Sequence, residues 1–147
     1  MMTSGASPNP QPAEMGTILK QARVIAVVGA SRNTGKEAHN LPKALQKAGY
    51  RIIPVNPHAD TIFDETAYPS LADVPSDLAR TIDIVNLFRP GDQVSPHVEA
   101  AIDLNIAVIW MQQGIRNEAA AARARSAGAV VIQDQCLHTA YLLFGRS

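Results

Sequence analysis

Five short apolar runs punctuate the chain, most of them closed by turn-forming residues. Val24-Ile25-Ala26-Val27-Val28 stops at Gly29, and Arg51-Ile52-Ile53-Pro54-Val55 stops at Asn56-Pro57. The third run, Ile82 to Phe88, stops at Arg89-Pro90-Gly91; Ile106 to Trp110 and Ala129 to Ile132 are the fourth and fifth. Runs this short, rich in β-branched side chains and mostly lacking polar alternation, predict strands of a parallel sheet buried on both faces.

Between the runs the spacing of apolar residues changes to that of a helix. Residues 35–48 carry Ala38, Leu41, Ala44, Leu45 and Ala48 on one face, with Gly49 as the stop. Pro42 lies within this stretch and predicts a helix start or a kink there. Residues 94–104 open on Ser95-Pro96, and residues 117–127 open on Asn117-Glu118, run through four alanines and close at Gly128. Shorter helices are expected over 14–22 and 137–144. The segment 57–81, with Pro57, Pro69 and Pro75, reads as loop with short helical turns. Residues 1–13, with Pro8, Pro10 and Pro12, read as a flexible tail ahead of a single domain over 14–147.

Strand and helix in alternation give right-handed βαβ units. The expected class is α/β: a Rossmann-like three-layer domain with a five-stranded, mainly parallel sheet and helices on both faces. The long link between the second and third strands suggests the order 3-2-1-4-5. Such sheets bind ligands at the C-terminal strand edge where the order reverses, here expected between the first and fourth strands.

The chain of 147 residues suits one domain, and 46% hydrophobic residues can fill its core without disulfides or metal. Thirteen lysines and arginines balance thirteen acids, so nothing draws the whole chain to nucleic acid or to an anionic membrane. No apolar run approaches the roughly 18 residues of a membrane helix. The N-terminus lacks a basic stretch followed by an apolar one, so no secretory signal is expected. A single cysteine, Cys136, excludes an internal disulfide and fits a cytoplasmic protein.

Candidate chemistry lies in the loops after the strands. Gly29-Ala30-Ser31-Arg32 leads through Gly35 and Lys36 into a helix, an arrangement in which backbone N–H groups and two cations can meet a phosphate. Its spacing matches neither the dinucleotide fingerprint nor the phosphate loop of nucleotide hydrolases, and a plain strand-to-helix turn would use the same glycine. After the second strand, Val55-Asn56-Pro57-His58 offers no carboxylate for ribose hydroxyls before Asp60, which counts against NAD. Arg32, Lys36 or His58 could instead face a phosphorylated ribose, though His58 also reads as an ordinary loop histidine. After the third strand, Phe88 and Arg89 precede the Pro90-Gly91 turn; the ring can pack on a base and the guanidinium can pair with phosphate. After the fourth, Gln112 and nearby amides can hydrogen-bond a ligand, whereas Trp110 reads as core. Cys136 and His138 are too close in sequence to face each other as nucleophile and base, so Cys136 reads as a structural thiol. The four histidines, His39, His58, His97 and His138, show no metal-ligand spacing.

Gly29-Ala30-Ser31, Pro54-Val55-Asn56-Pro57, Phe88-Arg89-Pro90-Gly91-Asp92 and Trp110-Met111-Gln112-Gln113-Gly114 together resemble the small CoA-binding proteins. These are similar to the N-terminal domain of the succinyl-CoA synthetase α-subunit, and the resemblance spans roughly residues 15–145. It implies coenzyme A held across the strand edge. The family's phosphate loop falls on Gly29, Ala30, Ser31 and Arg32, and its second-strand contact on Val55, Asn56 and the next loop. Its adenine-side wall falls on Phe88, Arg89 and Pro90, and its fourth-strand contacts on Met111, Gln112 and Ile115. Many relatives carry a lysine after the second-strand turn where this chain has His58, so affinity is expected to be lower or more pH-dependent. The synthetase's phosphohistidine belongs to a further domain outside the resemblance, so its chemistry is not carried over.

Three functional readings follow. The first is non-catalytic binding of CoA or an acyl-CoA for sensing, storage or delivery to a partner, with a partner enzyme or a homodimer as candidate associations. The second is an NAD(P)-linked or acyl-CoA-transforming enzyme using Gln112 and Cys136. The third is a protein-interaction module that has kept the fold and lost the ligand.

Overall fold

The computed structural model of the chain describes residues 9–146. Five parallel strands form the central sheet: β1 (Val24–Val28), β2 (Arg51–Val55), β5 (Ile84–Leu87), β6 (Val108–Met111) and β7 (Val130–Ile132). A small antiparallel hairpin, β3 (Thr61–Ile62) and β4 (Glu65–Thr66), follows β2. The helices are α1 (Pro12–Gln21), α2 (Glu37–Lys47), α3 (Ser76–Ala79), α4 (Ser95–Asp103), α5 (Glu118–Ser126) and α6 (Leu137–Ala140).

Successive strand residues point to opposite faces, and both faces are covered. Ile25, Val27, Ile52, Ile84, Val108, Trp110 and Ile132 pack with Met15 and Leu19 of α1, Leu45 of α2 and Leu137 of α6. Ala26, Val28, Val55, Val85, Leu87, Ile109 and Met111 pack on the other side with Val98 of α4 and Ala120, Ala121 and Ala124 of α5. Trp110 is fully buried and its indole N–H donates to the Gln135 carbonyl at 2.8 Å, which satisfies its one polar atom.

The expected α/β, Rossmann-like class holds, with five parallel strands and helices on both faces. The strand order does not. The sheet runs β2-β1-β5-β6-β7, or 2-1-3-4-5 when only its five strands are counted. The third sheet strand would have had to pair along the free edge of β2. That edge is taken by Tyr68, which bridges Val55: its N–H donates to the Pro54 carbonyl at 3.1 Å and its carbonyl accepts the Asn56 N–H at 2.9 Å. The chain then crosses to the far side of β1, where the Asp83 carboxylate accepts the N–H groups of Arg23 and Val24 at 2.8 and 3.0 Å. The order therefore reverses between β1 and β5.

Residues 1–8 of the expected flexible tail lie outside the described residues. Of the remainder, Pro12 already opens α1. The Asn9 side chain clips onto Gln133, accepting its N–H and donating to its carbonyl, both at 2.8 Å. The last helix is shorter than expected: α6 gives way at Tyr141 to a wider π turn ending at Gly145. There Phe144 and Gly145 press against Gly16 and Leu19 of α1, with no room for a side chain on either glycine.

Candidate functional site

At the reversal point, the C-terminal ends of β2, β1 and β5 frame a cleft of about 570 Å³, within the usual size range for small-molecule sites. Gly29 forms its floor. Its φ of +91° belongs to glycine, and a Cβ there would lie 3.0 Å from the Phe88 carbonyl oxygen. The close approach of the two loops thus depends on a missing side chain.

Ser31 is fixed by α2, and Pro42 explains how. Proline has no N–H to give the carbonyl four residues before it. The Ala38 carbonyl is therefore left without its helical donor, and it accepts the Ser31 N–H at 3.1 Å. His39 Nδ1 lies 2.7 Å from the Ser31 carbonyl oxygen, a contact that requires the proton on Nδ1. The Ser31 hydroxyl accepts the Asn33 N–H at 3.0 Å and keeps its own hydrogen for another acceptor. The N-cap residue of α2, Lys36, makes no side-chain cap hydrogen bond. Asn56 ties the second wall to the first: its amide donates to the Ala30 carbonyl at 2.8 Å and its oxygen accepts the His58 N–H at 2.7 Å.

Among the described residues, the ionisable ones lining the cleft are Lys36, His58, Arg89 and His97, with neither Asp nor Glu. In a chain of zero formal charge, this is a local excess of positive groups suited to an anion. Arg89 donates to the Gln93 side chain at 2.6 Å and is otherwise exposed at the mouth. Burial, and then the nearby Arg89 charge, hold the His97 imidazole below its ordinary pKa. Phe88, half-buried, gives the cleft an aromatic surface.

The structure brings together Gly29, Ala30, Ser31, Lys36, Val55, Asn56, His58, Phe88 and Arg89 of the residues singled out from sequence. It does not bring in Arg32, Pro90, Met111, Gln112 or Ile115. Arg32 and Pro90 are exposed outside the lining. Met111 is fully buried in the core under α4 and α5. The Gln112 side-chain oxygen accepts from Asn86 at 3.3 Å and from the Leu137 N–H at 3.2 Å, which makes it an internal brace. Ile115 packs partly buried on the same core as Met111. The strand order is the cause: β5 stands between β6 and the Gly29 loop, so the end of β6 is one strand too far away. Cys136 is buried and unbonded to sulfur. Sequence reasoning missed Gln93 and His97, which reach the cleft from the turn after β5 and the first turn of α4. The Ser95-Pro96 helix start marks that approach in the sequence.

A smaller hollow of about 280 Å³ opens at the opposite, N-terminal edge of the strands, beside Lys20, Arg23 and Tyr50. Two of its polar side chains are engaged within the protein. The Arg23 guanidinium donates to the carbonyls of Lys20, Gln21 and Ala22 at the end of α1, and the Tyr50 hydroxyl donates to the Leu19 carbonyl.

The sequence model of the CoA binding domain family matches residues 23–141. An uncharacterized protein of Bacillus subtilis, YneT, is 39% identical over 133 residues, covering 90% of this chain and 96% of its own. An ADP-forming acetate–CoA ligase of Archaeoglobus fulgidus is 42% identical over 60 residues, which are 40% of this chain and 9% of the ligase. A solved structure of a hypothetical protein from Pyrococcus horikoshii superposes with a TM-score of 0.87 at 28% identity, covering 98% of this chain and 99% of that one.

Proposed function

The chain belongs to the CoA-binding domain family, and from that premise we propose that it binds coenzyme A or an acyl-CoA, without turning it over, in the cleft between the ends of β1, β2 and β5. The observation that carries this reading is the lining itself: among the described residues, four basic side chains, no carboxylate and one phenyl ring beside Gly29. Coenzyme A joins a pyrophosphate, a ribose phosphate and an adenine, so it asks for cations and an apolar wall. The pyrophosphate lies against Gly29, Ala30 and Ser31, where the Ser31 hydroxyl has a hydrogen to donate and Lys36 supplies charge. In this reading Arg89 and His58 take the ribose phosphate and Phe88 packs on the adenine; all three line the cleft.

The absence of a carboxylate after β2 favours CoA over NAD. The side chains an acyl-transfer reading would use, Gln112 and Cys136, are buried rather than set in the cleft lining, which supports binding without turnover. Charge-assisted hydrogen bonds contribute about 1.5–3 kcal/mol each. One such bond to the ribose phosphate favours CoA over dephospho-CoA by roughly tenfold or more. Calorimetry with CoA, dephospho-CoA and NAD on the wild type and on Ser31→Tyr tests the reading. CoA is expected to bind tightest, to weaken as salt rises, and to be lost in Ser31→Tyr with melting little changed. Equal affinity for CoA and NAD, or undiminished binding by Ser31→Tyr, overturns it.

A further inference from the structure

We infer that His97 is an additional anion contact of the cleft and the point at which binding takes up a proton: a phosphoryl group seated beside Arg89 draws a proton onto the imidazole, so the complex tightens as pH falls from about 8 to about 6. The inference rests on the reading of this cleft as an anion site and goes beyond it by assigning a residue and a pH response.

The geometry sets His97 apart from the other basic side chains of the cleft. It stands in the first turn of α4, half-buried, and lines the cleft on the same side as Arg89 and Gln93. Lys36, from the loop before α2, and His58, from the loop after β2, line the same cleft. Asp92, on the turn before α4, is exposed and outside the cleft lining. Glu99 is two positions along α4, turned away, and paired with Arg123 at 3.2 Å. The groups that share the cleft with His97 are therefore cations or neutral. In the free protein burial opposes a positive charge there, and the Arg89 charge adds to that opposition. A bound phosphoryl dianion reverses the electrostatic part, since it offsets Arg89 and offers the imidazolium an opposite charge. A cleft built this way carries less unpaired charge when empty and gains a charged contact only when an anion arrives.

Proton NMR of the histidine ring resonances tests this directly, with inorganic pyrophosphate as the first probe and CoA as the second. His97→Gln and His58→Gln assign the signals. In the free wild type the His97 midpoint is expected below that of an ordinary imidazole. With saturating pyrophosphate it is expected to rise by about one pH unit, equivalent to about tenfold tighter binding of the anion by the protonated form. A His97 midpoint that stays put, or a response confined to His58, overturns the inference. CoA that binds in calorimetry without moving His97 overturns it too and leaves the CoA reading standing. Pyrophosphate that moves His97 while CoA does not bind supports the inference and overturns the CoA reading.

Discussion

The side-chain amide of Asn56 donates to the main-chain carbonyl of Ala30 across 2.8 Å, joining the loop after β2 to the loop after β1. The same side chain accepts the His58 N–H at 2.7 Å, so one residue sets the position of both walls. In Asn56→Ala both bonds are lost. At about 0.5–1.5 kcal/mol each, and with the site only half-buried, destabilisation of about 1–2 kcal/mol is expected. CoA affinity is expected to fall along with the melting temperature, because the loops lose their mutual register. Thermal unfolding and calorimetry on the same sample check this; unchanged affinity would show that the walls hold their places independently.

Gly29 and Gly49 separate two effects that are often merged. Both have positive φ, +91° and +112°. A Cβ on Gly49 meets nothing within 4 Å, whereas one on Gly29 lies 3.0 Å from the Phe88 carbonyl oxygen and 3.2 Å from Arg89 Cδ. Alanine at either position strains the backbone by about 1–3 kcal/mol. Gly29→Ala is expected to melt lower than Gly49→Ala, and only Gly29→Ala is expected to weaken CoA binding. Equal melting temperatures for the two variants would show that the Phe88 loop yields freely.

How much of this was legible in the sequence depends on what local pattern can carry. The buried runs and the helix stripes announced the five sheet strands and the main helices, because hydrophobic period reports which face is buried. Strand neighbours are not written in that period. Tyr68 bridges the end of β2 at Val55, and the next sheet strand, β5, pairs on the other side of β1. The hairpin of β3 and β4 was also hidden: its turn places Phe63 and Asp64 in the left-handed region, without the usual glycine. The topological error carried into the site. Had the fourth sheet strand adjoined β1, Met111 and Gln112 would have stood beside the Gly29 loop. Of the residues singled out from sequence, Gly29, Ala30, Ser31 and Lys36 follow β1, and Val55, Asn56 and His58 end or follow β2. They line one cleft because those strands are neighbours, and Phe88 and Arg89 join them from the end of β5 on the other side of β1.

Tyr50 gives the fold an alkaline limit. Its hydroxyl donates to the Leu19 carbonyl, and its pKa is raised above 10.0 by burial, then by the neighbouring Tyr141, with Arg23 opposing. A folded-state pKa above the unfolded one means that the stabilising contribution is complete below the unfolded value and is lost as pH rises through the folded value. Wild-type melting temperature is therefore expected to drop more steeply than that of Tyr50→Phe between about pH 9.5 and 11. At neutral pH the order is reversed, since Tyr50→Phe leaves the Leu19 carbonyl without this donor. Parallel pH profiles for the two proteins would place the alkaline transition elsewhere.

Pro42 is the most informative test of how sequence builds the cleft. A proline inside a helix ordinarily weakens it by about 3 kcal/mol relative to alanine. Here it is buried within α2, and the carbonyl it leaves free, that of Ala38, holds the Ser31 N–H at 3.1 Å. Pro42→Ala restores an N–H that competes for the same carbonyl. The helix gains its missing bond and better propensity, offset in part by lost packing of the ring. Ser31 meanwhile loses its anchor, apart from the His39 contact to its carbonyl. The expected outcome is a melting temperature equal to or above that of the wild type, together with CoA binding weakened about threefold to tenfold, the equivalent of one hydrogen bond. Calorimetry gives the affinity and thermal unfolding gives the stability. A lower melting temperature with unchanged affinity would mean that the proline serves packing alone and that Ser31 is held by the rest of its loop.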